Sequence, residues 1–257
     1  MINASLPYSL PQANFYTDDP FTIFEIDNFL PNQFYENLLF SIDESLLPKG
    51  IYESKGNKKK IVFKGNNLSD LPKSPLKKLI GFFLSEEFFR WFVKTHLLNS
   101  NYCAEPVFIY DSSKVNIEQI RQKSELKGIK SKFYETVVHY SSMKQNDFIP
   151  PHKDSKQKRL SLVLYLPSEE LPFEMQKGLG TIFYKVRRFR RAMKNYDGLL
   201  SDRKTKIFLK KYEIAHVSLF KPNRCVGFIK NDISWHAVAP NNFYYDRRAI
   251  VINVMEL

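Results

Sequence analysis

Cysteine is scarce in this sequence, which has only Cys103 and Cys225 among its 257 residues. Two thiols are too few for a disulfide framework or for a zinc site built from thiolates, so the chain is expected to work in a reducing compartment. Long apolar runs are missing as well, and the start, Met1 to Ala4, lacks the basic and apolar parts of a secretory signal. These absences predict a cytoplasmic protein with no membrane-spanning segment.

Acidic residues are few in one part of the chain. The formal net charge is +12, and residues 182–211 hold eleven basic side chains against Asp197 and Asp202. This block falls between two predicted strands, and we define residues 185–213 as the basic insertion. A charge run is often only a solvated surface, but it can also gather an anionic partner. The expected partner is therefore an unidentified substrate, anionic or peptide, which the basic insertion could contact; nucleic acid is not favoured.

The length and composition favour one domain over residues 1–257, with a core rich in aromatic rings. From residue 135 onward, short β-branched and aromatic runs are separated by Gly, Pro and Asn, as is typical of strands. The predicted strands are 136–140, 160–166, 181–186, 214–220, 225–229, 234–238 and 248–255. This number of short strands with long returns favours a jelly roll.

The N-terminal part, residues 1–132, is predicted to support the β core of residues 133–257. A strand is expected over 21–26, and apolar stripes predict helices after Pro31, after Ser74 and after Ser85. A further strand is expected over 106–110, whereas residues 116–132 are polar enough for a helix or a mobile segment over the cleft. The expected class is therefore mainly β with a helical layer (α+β).

A metal site is predicted from His152 and Asp154, which lie two residues apart just before an apolar run. In an extended chain such side chains share a face, so an imidazole and a carboxylate converge. His236 is the best-placed candidate for a third ligand, which would complete a set of two histidines and one carboxylate suited to iron(II). Zinc could use the same three ligands. Arg247, eleven residues beyond His236, could reach back to the same cavity.

These residues and several motifs resemble the iron(II)/2-oxoglutarate-dependent dioxygenases, and among them the prolyl-hydroxylase-like branch. The resemblance covers roughly residues 133–257, with a weaker echo at the N-terminus. The motifs that carry it are His-x-Asp at 152–154, Gly-Leu-Gly-Thr at 178–181, Lys-Pro-Asn at 221–223 and Arg-x-Ala-Ile at 247–250.

The resemblance implies a double-stranded β-helix, a relative of the jelly roll. It also implies iron(II), 2-oxoglutarate and dioxygen, with ascorbate as an accessory reductant that such enzymes can use. His152, Asp154 and His236 would bind the metal, and Arg247 would bind the distal carboxylate of 2-oxoglutarate. Tyr140 and Tyr165 match tyrosines beside the cosubstrate, although either could equally be an ordinary core tyrosine.

Two neighbours of these candidates are expected to face away from the site. His139, adjacent to Tyr140, would point to the other side of its strand. Arg248 would likewise point away from the face of Arg247.

The leading functional hypothesis is a dioxygenase that hydroxylates an organic substrate and converts 2-oxoglutarate to succinate. The substrate would be a peptidyl proline, another protein side chain, a sugar or a small metabolite. Nucleic-acid dealkylation ranks lower, because Ala249 and Asn253 stand where the dealkylating enzymes have asparagine and a second arginine. The alternatives from other classes are a non-catalytic β-sandwich that binds nucleic acid or an acidic partner, and a zinc-dependent hydrolase.

Overall fold

Two β-sheets face each other in this chain. The computed structural model describes residues 12–42, 59–63, 68, 71–92, 105–127, 131–188, 190, 192–193 and 198–257, and Cys103 lies outside these ranges. None of the helices in the described ranges is long and apolar enough to cross a membrane.

The strands are divided between a large and a small sheet. Their bounds are β1 (Phe15–Thr17), β2 (Ile23–Ile26), β3 (Lys59–Phe63), β4 (Glu105–Phe108), β5 (Ser131–Met143), β6 (Ile149–Lys153), β7 (Lys158–Tyr165), β8 (Thr181–Val186), β9 (Gly198–Leu199), β10 (Tyr212–Ser218), β11 (Cys225–Ile229), β12 (His236–Val238) and β13 (Arg247–Glu256). The large sheet has the order β1-β2-β11-β7-β13-β5-β3, with β4 parallel to β5, and the small sheet has the order β10-β8-β12-β6-β9.

The central strands are apolar along most of their length because both of their faces are covered. On β7, Leu160, Leu162 and Leu164 point to a helical layer, whereas Val163 and Tyr165 point to the small sheet. A strand buried on both faces loses the usual alternation of polar and apolar residues. The pattern therefore identifies the strand without showing which face points inward.

The helical layer covers the outer face of the large sheet. It is formed by α1 (Asn32–Ser41), α2 (Pro75–Phe83) and α3 (Glu86–Phe92), and α4 (Ile117–Glu125) lies beside β5. Ser74 caps α2 by accepting a hydrogen bond from the Lys77 amide, and Pro75 occupies the first turn. The three predicted N-terminal helices are confirmed, and the segment left open over 116–132 contains α4 followed by the start of β5.

The chain passes between the two sheets in the manner of a double-stranded β-helix. From β5 onward, β5, β7, β11 and β13 belong to the large sheet, and β6, β8, β10 and β12 belong to the small one. A core of rings and aliphatic side chains, including Phe183, Phe220 and Phe228, fills the space between them. The predicted fold class is confirmed, and β8 and β11 have the limits predicted from the sequence.

The basic insertion is anchored to the outer face of the small sheet. It follows α5 (Phe173–Gly178) and the start of β8, and it contains β9 and α6 (Asp202–Lys211). Its ends are joined where Val186 of β8 pairs with Tyr212 of β10. The Phe208 ring of α6 lies 4.1 Å from the ring of Tyr212 and 4.8 Å from that of Trp235, measured between centroids. The segment outside the two strands is thus shorter than predicted, because β8 and β10 extend into the two ends of the insertion.

Candidate metal and cosubstrate site

His152, Asp154 and His236 converge at one end of the space between the sheets. His152 lies on β6, Asp154 follows it at the turn into β7, and His236 begins β12. His236 and His152 are direct partners in the antiparallel pairing of β12 with β6, and their ring centroids are 4.2 Å apart. One ligand atom from each of the three side chains lies within 4.8 Å of the others. The structure therefore brings together the three residues proposed from the sequence as metal ligands.

Both imidazoles are oriented by their own backbone. His152 Nδ1 lies 3.0 Å from the carbonyl oxygen of Pro150, and His236 Nδ1 lies 3.1 Å from that of Ser234. A carbonyl oxygen only accepts, so each Nδ1 carries the hydrogen and each Nε2 carries a lone pair. This is the arrangement in which metal-binding histidines are usually held.

The protonation states of His152 and Asp154 also suit a cation. Burial, with a smaller effect from His236, lowers the pKa of His152 to about 3, so this imidazole is neutral at physiological pH. Burial by itself would raise the pKa of the Asp154 carboxyl, but the Lys158 ammonium outweighs it and holds that pKa well below its usual range. Two imidazoles and one carboxylate are a donor set that fits iron(II), manganese(II) or zinc.

Asp154 is held by a small polar network. Lys158 donates to Oδ1 at 2.6 Å, and Ser161 donates to Oδ2 at 2.8 Å. Ser161 Oγ also lies 3.0 Å from the side-chain amide of Asn253 on β13. These contacts with neighbouring strands fix the carboxylate and limit its rotation.

Arg247 is a buried cation at the start of β13, with only 3% of its surface exposed. Its Nε donates to the carbonyl oxygen of Leu179 at 2.7 Å, and its guanidinium carbon lies 5.4 Å from the centroid of the Tyr165 ring. Burial lowers its pKa, and within the described ranges no carboxylate forms an ion pair with it. A guanidinium in a dry, aromatic setting is costly without an anion, so this position is suited to bind one.

The distance from Arg247 to the metal-binding trio is set by β8. Thr181 at its start lies near the guanidinium, with Oγ1 3.4 Å from Arg247 Nη2, and Phe183 two residues later pairs with His236 across the strands. Alternate residues of a strand share a face and are about 7 Å apart. β8 therefore joins the surroundings of Arg247 to those of His236.

Tyr165 faces the same space and lies beside Arg247. Its hydroxyl donates to Thr181 Oγ1 at 2.7 Å and accepts from the Thr181 amide at 3.1 Å. Burial raises the pKa of the hydroxyl although Arg247 opposes this, so it stays protonated. A role as a donor to a cosubstrate carboxylate remains a prediction.

Tyr140 is not brought to the site, which corrects the expectation for this residue. It pairs with Ile250, and both belong to the core that faces the helices. His139 pairs with Val251 and takes the opposite face, which Arg247 shares. The two residues do point to opposite sides of β5, as expected, but their assignment to the two faces was reversed.

Met143, not a tyrosine, is the β5 residue that meets Arg247. The two residues are cross-strand partners, and Met143 Sδ lies 3.8 Å from Arg247 Nη1. Arg248 pairs with Ser142 and lies on the other face of β13, as predicted.

Several residues of the site were not singled out from the sequence. Thr181 was noted only as part of a Gly-Leu-Gly-Thr step, and Asn253 only as standing where dealkylating enzymes have a second arginine. Lys158 and Ser161 were given no role. The structure explains why position 180 is a glycine, because a Cβ atom there would lie 2.2 Å from the carbonyl oxygen of Ser218. The close approach of β10 therefore requires glycine before Thr181. Only the glycine carried a signal that could have been noticed in advance.

Comparisons with known proteins agree with this architecture. No family model matches the sequence, and no curated protein sequence matches it either. Among solved structures, a prolyl 4-hydroxylase from Phytophthora capsici superposes with a TM-score of 0.52 and 14% identity, covering 91% of this chain and 58% of that one. The present chain thus spans a little over half of that relative.

Two further structures match over 91% of this chain. One is a prolyl hydroxylase from Trichoplax adhaerens in complex with a hypoxia inducible factor peptide fragment (TM-score 0.48, 11% identity, 83% of that chain). The other is HygX from Streptomyces hygroscopicus with nickel and 2-oxoglutarate bound (TM-score 0.49, 9% identity, 82% of that chain). At identities this low, similarity shows the fold alone. The chain therefore has the double-stranded β-helix fold of the 2-oxoglutarate oxygenases, and its resemblance to their prolyl-hydroxylase-like branch is confirmed at the level of the fold.

Proposed function

We propose that this protein is a non-haem iron(II)/2-oxoglutarate-dependent dioxygenase that hydroxylates an organic substrate and releases succinate. The observation that carries the proposal is Arg247, a buried guanidinium that contacts Thr181 at the start of β8. This strand pairs with His236, which forms the trio with His152 and Asp154. The trio supplies three ligands on one side of a cation. Arg247 would supply a charged donor for the distal carboxylate of 2-oxoglutarate in the same space between the sheets.

The residues have separate tasks in this proposal. The two imidazoles and Asp154 would hold iron(II), which when bound supplies the dioxygen chemistry together with 2-oxoglutarate. Arg247 would bind the distal carboxylate, with Thr181 and Tyr165 fixing the direction of the guanidinium. The rings between the sheets would exclude water from the reacting centre.

Arg247 also separates this proposal from a zinc-dependent hydrolase. A hydrolase could use the trio with a bound water, but it has no general need for a buried arginine without a carboxylate partner. A non-catalytic β-sandwich would need neither the convergent ligands nor the oriented imidazoles, and burying them without a ligand would cost stability.

The proposed substrate is a peptidyl proline, another protein side chain, a sugar or a small metabolite. Nucleic-acid dealkylation is not favoured, because Asn253 stands where a second arginine would be needed and contacts Ser161 behind Asp154. The basic insertion could contact an anionic substrate, since β9 pairs with β6 at His152 and α6 packs near the same strand. This would place positive charge beside the site entrance.

The test is succinate formation from 2-oxoglutarate by purified protein with iron(II), ascorbate and air, followed by proton NMR. The parent should form succinate slowly without a prime substrate, and His152→Ala, Asp154→Ala and His236→Ala should each abolish it. His216→Ala is the matched control, because His216 pairs with Glu25 at 2.7 Å and is not part of the trio. If the three trio variants bound iron and formed succinate as the parent does, the proposal would be wrong.

A further inference from the structure

The two carboxylate oxygens of Asp154 have different neighbours. Oδ1 accepts from the Lys158 ammonium at 2.6 Å, whereas Oδ2 lies 4.0 Å from His236 Nε2, on the side of the other ligands. Only 22% of the Lys158 side chain and 7% of the Asp154 side chain are exposed. A short, charge-assisted contact in such a setting is well ordered and weakly screened by salt.

Oδ2 is held from the opposite side. Ser161 donates to it at 2.8 Å, and Asn253 lies behind Ser161 at 3.0 Å. With Lys158 on one oxygen and Ser161 on the other, the carboxylate plane has little freedom to turn. Oδ2 keeps a lone pair for a cation, while Oδ1 is directed toward Lys158.

A carboxylate can bind a metal ion through one oxygen or through both. A Lys ammonium on Oδ1 opposes the second mode in two ways, because it occupies that oxygen and because its positive charge repels a divalent cation from that side. The number of coordination positions left open on the metal depends on whether the carboxylate binds through one oxygen or through both. Three protein atoms leave three positions in an octahedral ion, and a fourth protein atom would leave two.

We propose that Lys158 is a positioning residue that keeps Asp154 a one-oxygen metal ligand, and thereby preserves the third open position of the site. This inference rests on the proposed function, in which the cosubstrate takes two positions and dioxygen needs one. Lys158 lowers the affinity of the site for a divalent cation, because its positive charge repels the ion, but it keeps one coordination position of the metal open.

A second lysine pair in the described part of the chain lies away from the trio. Lys132 pairs with Glu256 at 3.2 Å, with 37% and 20% of the two side chains exposed, and neither partner belongs to the trio. Lys132→Met therefore removes a comparable ion pair without touching a ligand, and it serves as the matched control for Lys158→Met.

Two measurements test the inference without using turnover. The first is the affinity for manganese(II), measured by titration under EPR. Lys158→Met should bind manganese(II) about tenfold more tightly than the parent, because a repelling charge is lost and a second oxygen becomes available. The second is nitric oxide binding to the anaerobic iron(II) and 2-oxoglutarate complex, which reports the third open position by its EPR signal. Lys158→Met should lose most of that signal, whereas Lys158→Arg and Lys132→Met should keep it.

The outcomes separate this inference from the proposed function. Unchanged or weaker manganese(II) binding by Lys158→Met, or an undiminished nitric oxide signal, would overturn the role of Lys158. A parent protein whose manganese(II) binding does not depend on His152 and His236 would instead overturn the metal site itself. Lys158→Leu, which also removes both the donor and the charge, gives the same comparison if the methionine variant does not fold.

Discussion

Thr181 Oγ1 accepts the hydroxyl hydrogen of Tyr165 at 2.7 Å and lies 3.4 Å from Arg247 Nη2. One small side chain thus connects a tyrosine at the end of β7 with an arginine at the start of β13, the strand next to β7 in the large sheet. The guanidinium is also held by the carbonyl oxygen of Leu179, which accepts from its Nε at 2.7 Å, so its direction is fixed from two sides. A carboxylate bound there would meet a preorganised cation.

Arg247→Ala should raise the KM for 2-oxoglutarate by one to several orders of magnitude. The cosubstrate carboxylate would lose a buried, charge-assisted partner, a cost of roughly 2–5 kcal/mol. Arg248→Ala is the control, since Arg248 lies on the opposite face of β13 and a partly exposed arginine contributes about 0–1 kcal/mol. Succinate formation at varied 2-oxoglutarate measures both, and a larger effect from Arg248 would contradict the site described here.

Thr181→Val should raise the KM for 2-oxoglutarate by about threefold to tenfold and leave metal affinity unchanged. The variant keeps the volume but removes the hydroxyl that fixes Arg247 and Tyr165, a loss of about 1 kcal/mol. Thr136→Val provides the control, because Thr136 is equally buried but lies on the helix-facing side of β5. Equal effects of the two substitutions on KM would mean that Thr181 acts only through stability.

The basic insertion should bind an acidic peptide in a salt-dependent way. Arg203, Lys206 and Lys210 of α6 are exposed, so replacing all three by Ser should weaken the binding of a fluorescent Glu/Pro peptide and flatten its dependence on ionic strength. Succinate formation without substrate should not change. Serine at Lys78, Lys123 and Lys127 removes the same charge elsewhere on the surface. Equal losses from the two triple variants, or salt-insensitive binding by the parent, would reduce the insertion to a solvated surface.

Gly180→Ala should destabilise the fold more than Gly178→Ala. The added methyl at Gly180 would lie 2.2 Å from the backbone oxygen of Ser218, so two strands must separate, at a cost of about 1–3 kcal/mol or more. At Gly178 the nearest atom, at 2.7 Å, belongs to the Phe243 ring, which can move aside. Urea denaturation measures the difference, and similar midpoints for the two variants would show that β8 and β10 are not tightly coupled.

The sequence by itself indicated the N-terminal helices, most strands of the β core and the three residues that converge as a trio. His152 and Asp154 precede an apolar run with the spacing that puts alternate residues on one face, so their convergence follows from strand geometry alone. The helices were equally accessible, because α2 has a serine cap, a proline in its first turn and an apolar stripe. These signals are local, so they can be recognised in the sequence without knowing what packs against each element.

Only the tertiary structure decided which face of each strand lines the site. Both faces of β5 and β7 are covered over most of their length, so the hydrophobic pattern could not show whether Tyr140 or His139 points inward. Register across strands distant in the chain settled this, and it placed Met143 opposite Arg247. The contacts of Lys158 with Asp154 and of Phe208 with Trp235 also depend on packing, which no local spacing encodes.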